Sequence, residues 1–250
     1  APALRLRLPA LPERATADDV AILPDLRGAF PDAAISQRPA AAWPIDLDAL
    51  FAAALAPSLA LPGGGAIHLE EARGATIIDV DTGTPERGSS ARAALAANRA
   101  AAQRIARELR LRNCGGAVVI DFVGLDRRDH RDQVSRTLEA ALAGDPAQPR
   151  VLGWTRLGHL ELVRPRRGRS LADAMLRPGT RAKQPIALAH EALRRVLREA
   201  RANPAATWRM SVSPEVETVL RGEAAAALRA LETRLGRRVA LAVVAGIEGF

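Results

Sequence analysis

The 250-residue sequence predicts an α/β fold of mixed α+β character, and three observations carry that reading. Strand-like Ala75 to Val80 leads through a Gly and Ser loop, Gly83 to Ser90, into a long helix pattern from Ala91 to Arg112. Its apolar positions Leu95, Ala102, Ile105 and Leu109 recur at helical spacing. Gly115-Gly116 then supply a stop, and Ala117-Val118-Val119-Ile120 forms a second apolar strand that ends at Asp121. Strand, helix and strand in that order make a crossover, which most simply lays both strands parallel in one sheet. The third observation is that strands and helices keep alternating afterwards.

The elements follow in chain order. Residues 1 to about 60 are rich in proline and alanine, with strand-like pieces at Leu4 to Leu8 and Val20 to Leu23 and a helix pattern from Asp46 to Ala56. Leu61-Pro62-Gly63-Gly64-Gly65 reads as a turn before strand-like Ala66 to Glu70, and Glu71 to Gly74 separates that strand from the next. Beyond Asp121 come a helix over 129–143 and strands at Arg150 to Thr155 and His159 to Val163. A basic stretch from Arg164 to Arg169 follows, then a linker with Pro178, Gly179 and Pro185. The remainder reads as helix 186–202, strand 207–212, helix 214–235 and strand 237–245, with Ser213 before Pro214 as a helix cap. There is no internal repeat.

Composition excludes several classes. A single cysteine, Cys114, rules out an internal disulfide and a multi-cysteine zinc site, and it reads as a small buried apolar residue. No apolar run approaches the roughly 18–20 residues of a membrane span, and no charged-then-apolar leader opens the chain, so the expectation is a cytoplasmic protein without a membrane partner. Aromatic residues make up only 3%, which argues against a stacking platform for single-stranded bases. The formal charge of +8 is almost wholly arginine, because Lys183 is the only lysine. Composition alone can generate such an excess, so its distribution carries more weight than its sum.

Asp79 and Asp121 stand out chemically. Each closes an apolar strand, and the crossover makes those carboxyl ends neighbours or near neighbours, where ligands of open α/β sheets bind. Asp81, two residues beyond Asp79, points to the same side if the strand continues. Converging carboxylates repel unless a cation neutralises them, and oxygen donors of this kind suit magnesium or manganese rather than zinc. The alternative is that the three aspartates form turns or cap helices. Asp79-Val80-Asp81-Thr82-Gly83 opens like a calcium loop but has Ser90 where that loop needs a bidentate glutamate. His68, His130, His159 and His190 show no ligand spacing, no nucleophile elbow accompanies them, and Gly63–Gly65 lack the residues of a phosphate loop. Arg156, Arg164, Arg166, Arg167 and Arg169, with Arg127, Arg128, His130 and Arg131 just after Asp121, offer the positive charge a phosphodiester needs; a solvated charged face is the other reading.

The run from Leu61 to about Leu171 resembles the catalytic core of the ribonuclease E/G family of bacterial endoribonucleases. The matching pieces are LPGGGAIHLEEARGATIIDVDTG (Leu61 to Gly83), NRAAAQRIARELRLRNCGGAVVIDF (Asn98 to Phe122) and LGHLELVRPRRGRSL (Leu157 to Leu171). The resemblance implies a DNase I-like catalytic core over 55–176, part of an RNase H-like domain over 1–54, a linker over 177–185 in place of a zinc link, and a small C-terminal α/β domain over 186–250. It also implies cleavage of single-stranded RNA by magnesium-activated water, leaving a 5′-phosphate on the downstream product. Asp79 and Asp121 fall on the metal-binding, catalytic aspartates, and Asp81 assists. Arg156, Arg164, Arg166, Arg167 and Arg169 are the expected RNA contacts.

Departures from the family accompany these matches. Asp81 stands where better-known members have asparagine, Gly124 replaces an aspartate and His159 a leucine, and Gln148 aligns with an arginine of the 5′-monophosphate pocket. The zinc-link cysteines are absent from Ala172 to Gln184, so no structural zinc and no zinc-linked dimer are expected. The S1 RNA-binding region is not in this chain, which reads as a short member or fragment. The expectation is therefore a cytoplasmic, magnesium-dependent (or manganese-dependent) endoribonuclease of RNA processing or turnover, with rRNA maturation as one setting. A non-catalytic RNA-binding module derived from the family is the alternative, and a phosphodiesterase acting on DNA or small nucleotides a third.

Overall fold

Short polar and proline-containing segments dominate the amino-terminal part, so its regular elements are brief. The computed structural model describes residues 8, 10–39, 42–81, 83 and 91–250. The expected strand at Leu4 to Leu8 and the loop from Gly83 to Ser90 lie outside this set apart from Leu8 and Gly83. Strand β1 (Arg14–Ala17) and strand β2 (Ala34–Gln37) pair in parallel, with helix α1 (Leu23–Ala29) between them. The expected strand at Val20 to Leu23 is instead a 3-10 turn entering α1. Asp19 caps that turn by accepting the Ala21 N–H at 3.0 Å, and Pro24 in the first turn of α1 presets a helical φ. Helix α2 (Leu47–Leu55) is capped by Asp46, whose carboxylate accepts from Asp48 and Ala49.

A six-stranded mixed sheet follows. Its strands are β3 (Ser58–Ala60), β4 (Ala66–Glu71), β5 (Ala75–Asp81), β6 (Gly116–Asp121), β7 (Arg150–Trp154) and β8 (Leu160–Arg164). They lie in the order β3-β4-β5-β6-β8-β7. Only β5 and β6 pair in parallel, as the crossover through helix α3 (Ala91–Leu111) requires, and every other pairing is antiparallel. The β3–β4 hairpin turns through Gly63, Gly64 and Gly65 with φ of 88°, 101° and 79°. Three successive left-handed residues are accessible only to glycine.

Alternation along the strands divides the sheet into two unlike faces. Ile67, Leu69, Ile78, Val80, Val118, Ile120, Leu160 and Leu162 point one way and pack with Ala101, Ala102, Ile105 and Leu109 of α3. Val134, Leu138 and Leu142 of helix α4 (Arg128–Leu142) join the same core. The opposite face carries Ser58, His68, Glu70, Ile77, Asp79, Asp121 and Glu161, all exposed, Ile77 by 50%. The result is the α/β class expected from the sequence, with helices on one side of the sheet and the other side bare among the described residues.

The described residues up to Arg38, with Ile45–Ala172, form one compact unit, and Pro39–Pro44 with Asp173–Phe250 form another. The second unit contains helix α6 (Pro185–Ala202), strand β9 (Arg209–Val212), helix α7 (Pro214–Arg221), helix α8 (Ala225–Leu235) and strand β10 (Ala240–Val243), after a short helix α5 (Leu171–Met175) that straddles the boundary. β9 and β10 pair in parallel. Ser213 caps α7 through its hydroxyl. The single helix expected over 214–235 is two helices, because Gly222 ends the first with its N–H bonded to the Thr218 and Val219 carbonyls. The stretch without zinc cysteines is itself ordered: Leu176 bridges Lys183, and the Gln184 side chain donates to the Asp173 and Leu176 carbonyls at 2.9 and 2.7 Å.

One buried ion pair fixes the basic segment onto the first unit. Arg164, 4% exposed, gives its Nε and Nη2 to the two oxygens of buried Asp145 at 2.8 and 3.2 Å, and its Nη1 to the Cys114 carbonyl at 2.8 Å. Asn113 donates to the Arg167 and Arg169 carbonyls, and the Leu171 N–H reaches the Arg112 carbonyl. Gly115 and Gly116 let this segment approach, since a Cβ on Gly115 would sit 2.9 Å from the Arg166 Cα. Cys114 is fully buried beside this joint, and burial, with the negative charge of Glu71, pushes its thiol up. Breaking a buried pair leaves an uncompensated charge, whereas replacing both partners with apolar residues does not. Asp145→Ala is therefore expected to destabilise the chain by about 3–5 kcal/mol in urea denaturation, and the double variant Arg164→Met/Asp145→Leu by much less. Equal losses in the two variants would show that the ion pair is not what holds the joint.

Candidate functional site

Register on the bare face builds the site. Asp79 of β5 is the direct partner of Asp121 of β6 in the parallel ladder, so their Cα atoms lie on strands about 4.8 Å apart. Both side chains are on the exposed face, that of Asp121 being 56% accessible. The same row extends in both directions. Asp79 is paired across the antiparallel β4–β5 ladder with His68, and His68 with Ser58. Ile120 pairs with Leu160, and on the far side of Asp121 the next residue of that ladder, His159, brings its Nδ1 to 3.3 Å from the Asp121 Oδ1. Ser58, His68, Asp79, Asp121 and His159 therefore span five strands or strand ends in one line.

The two histidines differ in state. The His68 Nδ1 shares a hydrogen bond of 2.8 Å with the Ser58 hydroxyl. The His159 Nδ1 instead lies against the Asp121 Oδ1 at 3.3 Å, an ion-pair contact when the ring carries both protons. Neither histidine is in a spacing that marks it in sequence. His68 becomes predictable only once the hairpin centred between Glu71 and Gly74 is counted through, and His159 only from the register of β8.

Asp81 lies outside this row, two residues beyond Asp79 along β5 and opposite Ala66. One of its oxygens accepts the Gly83 N–H at 2.8 Å, a local turn that commits part of the carboxylate to its own backbone. Among the described residues no three of His, Cys, Asp and Glu are gathered tightly enough to hold an ion by themselves. Protein donors here thus amount to the Asp79–Asp121 carboxylate pair. Magnesium-class ions are commonly held by one or two carboxylates with water and substrate oxygens completing the shell, so the donor set fits such an ion.

The loop after Asp121 is held tightly. Asn98, fully buried in α3, donates to the Val123 carbonyl at 2.6 Å and accepts the Val123 N–H at 3.2 Å. Phe122 packs on Trp154 with ring centroids 5.9 Å apart, and Trp154 donates to the Ser135 hydroxyl at 2.9 Å. Arg131 lies over the Trp154 ring and donates to the Leu125 carbonyl at 2.6 Å. Arg127 forms a two-pronged pair with Asp129, which holds that exposed carboxyl below its usual range. Two of the four basic side chains that follow Asp121 in sequence are thus already engaged within the protein.

The expected arginine flank is divided. β8 runs antiparallel to β6, pairing Arg164 with Gly116. The segment from Arg164 to Arg169 thus leaves the sheet at the end opposite Asp121, about 16 Å away along the strand. Arg166, Arg167 and Arg169 are exposed there. Arg164 is corrected from a phosphate contact to a structural residue, because its guanidinium is spent on Asp145 and Cys114. Arg156 is on the aspartate side of the sheet, exposed in the β7–β8 turn next to His159. Among the described residues no helix is long and apolar enough to cross a membrane.

Comparison with known proteins places these features. The model of the Ribonuclease E/G family matches residues 37–167, more than half of the chain and inclusive of both strand-end aspartates. Ribonuclease E of a Nostoc species is 40% identical over 128 residues, covering 51% of this chain and 19% of the relative. Ribonuclease G of Escherichia coli (strain K12) is 30% identical over 194 residues, covering 74% of this chain and 40% of the relative. A Ribonuclease E/G-like protein of Porphyra purpurea is 36% identical over 121 residues, covering 48% and 24%. The chain thus spans at most 40% of the length of these relatives. With the family model covering the sheet that carries Asp79 and Asp121, the chain belongs to the Ribonuclease E/G family.

Proposed function

We propose that this chain is a magnesium-dependent endoribonuclease core that cleaves single-stranded RNA in processing or turnover, including rRNA maturation, and works in the cytoplasm. Its parts are a DNase I-like core over 55–176, part of an RNase H-like region before it, a linker over 177–185 and a small domain over 186–250. The observation that carries the reading is the direct cross-strand pairing of Asp79 with Asp121 on an uncovered sheet face.

Asp79 and Asp121 are the residues that hold the ion. When bound there, a divalent cation supplies an activated water and neutralises charge on a phosphodiester under attack. The protein's own residues do the positioning. Asn98 and the Phe122–Trp154 packing fix the backbone that leaves Asp121, and Asp81, two residues beyond Asp79 on β5 with one oxygen in a turn, assists the pair. Arg156 offers a guanidinium to a phosphate close to the scissile bond, and Arg166, Arg167 and Arg169 contact phosphates farther along the strand.

Asp79→Asn and Asp121→Asn are each expected to abolish magnesium-dependent cleavage of a single-stranded oligoribonucleotide, with far-UV circular dichroism unchanged. Cleavage surviving in either variant would move the chemistry elsewhere, and RNA binding by the wild-type chain without cleavage would make it a binding module. The arginines are tested by salt dependence. Each phosphate contact to single-stranded nucleic acid contributes about 0.7 to the slope of log affinity against log salt, so Arg166→Ala/Arg167→Ala/Arg169→Ala should lower that slope by about 2. An unchanged slope would remove these residues from the RNA path.

A further inference from the structure

The helix-covered side of the sheet carries a basic recess that the acidic pair does not use. Where α3 and α4 lie side by side, Arg99 and Gln103 of α3 and Gln133 and Arg136 of α4 line an open groove of about 560 Å³, together with Ala140 and Ala141. Among the described residues no carboxylate lines it. Resting on the ribonuclease reading above for the identity of the polyanion, we infer that this groove is a binding site for the phosphodiester backbone of RNA, separate from the Asp79–Asp121 site.

Several arginines of these two helices are already matched within the protein. Arg104 and Arg112 give their Nε atoms to the buried Glu108 carboxylate at 2.8 and 3.1 Å, and Arg107 comes within 4.0 Å of it. Arg131 is spent on the Leu125 carbonyl. The two that face the groove differ. Arg99 is exposed and makes no hydrogen bond or ion pair among the described residues. Arg136, also exposed, commits only its Nε, to the Asp132 carbonyl at 3.1 Å, and keeps both terminal nitrogens for a ligand. The exposed carboxylates of Asp132 and Glu139 on α4 are not part of the lining. Arg110 adds a further cation, since its Nη1 reaches the carbonyl of Ala141 at 3.2 Å. Guanidinium groups that share a recess without a counter-charge repel one another and gain from a bound anion.

Lining chemistry and length favour a nucleic-acid chain over a free anion. Guanidinium groups grip phosphate oxygens through paired N–H donors, and the amides of Gln103 and Gln133 suit ribose hydroxyls and base edges. Along α3 the distance from Arg99 to Arg110 is about 16 Å, longer than a single phosphate needs. Ala140 and Ala141 add no bulk, so a chain can lie close to the helices. No aromatic residue is in the lining, so the grip is on the backbone and is indifferent to base sequence. Arg99 directly follows Asn98, whose side chain holds Val123 in the loop that leaves Asp121. The groove therefore begins beside that loop, and a strand seated in it continues toward the acidic edge of the sheet.

The test compares the full wild-type chain with Arg99→Ala/Arg136→Ala. Binding of a long oligouridylate, followed by fluorescence anisotropy over a salt series, should lose about 1.4 from the slope of log affinity against log salt in the variant, at about 0.7 for each phosphate contact. With magnesium present, the variant should raise KM for that RNA several-fold and leave kcat unchanged. An unchanged slope and an unchanged KM would overturn the inference and leave the nuclease reading standing. A slope that falls in a chain that does not cut RNA would sustain the groove and sink the nuclease reading. The Nε–H resonances of Arg99 and Arg136 in the wild-type chain should shift on adding the oligouridylate, at concentrations where inorganic phosphate and polyglutamate leave them in place. Equal shifts with either of those would overturn the assignment to RNA. The resonance comparison needs no variant, so it decides the matter even where the double variant fails to fold.

Discussion

The parallel pairing of β5 with β6 is the constraint on which the site depends. The helix pattern that links these strands packs on one face only, so the odd and even positions of each strand acquire opposite fates. Ile78, Val80, Val118 and Ile120 are drawn into the core, and Asp79 and Asp121 are set on the uncovered side by the same alternation. Shifting the β5–β6 register by one residue would bring Asp79 opposite a core residue and dissolve the pair. The burial of the core positions, at 0–1% exposure, is what makes such a slip costly.

A second group of interactions keeps this register coupled to the rest of the unit. Asn98 reaches from α3 to the loop after Asp121, and Arg164 reaches from the end of β8 to Asp145 and to the carbonyl of Cys114 at the start of β6. These buried polar contacts act at the two ends of β6. The glycine pair at the start of that strand has a matching role, giving the backbone and side chain of Arg166 room to lie against it. The strand that ends in Asp121 is thus held at both ends by side chains that leave the bare face clear.

Much of this was legible in the residues. The crossover of strand, helix and strand, the turn at Gly63–Gly65, the cap at Ser213 and the exposed placement of the strand-end aspartates all follow from local pattern and spacing. Other features depend on tertiary register, which a local pattern does not encode. His159 meets Asp121 only because β8 pairs antiparallel with β6, and the same pairing carries Arg166 to Arg169 to the far end of the sheet. Arg164 looks like one more surface cation until the buried partner Asp145, 19 positions earlier, is known. At the amino terminus, Val20 to Leu23 has strand-forming residues, but Asp19 and Pro24 impose a helical start. Gly222 in turn divides what reads as one continuous helix.

The most direct measurement is paramagnetic line broadening in the amide spectrum of the chain as manganese is added at low stoichiometry. If the paired aspartates form the ion site, resonances of residues 79–81 and 121–123 and of His159 broaden first, and the Asp121→Asn variant loses this pattern. Broadening centred elsewhere, or spread evenly over exposed carboxylates, would contradict the account.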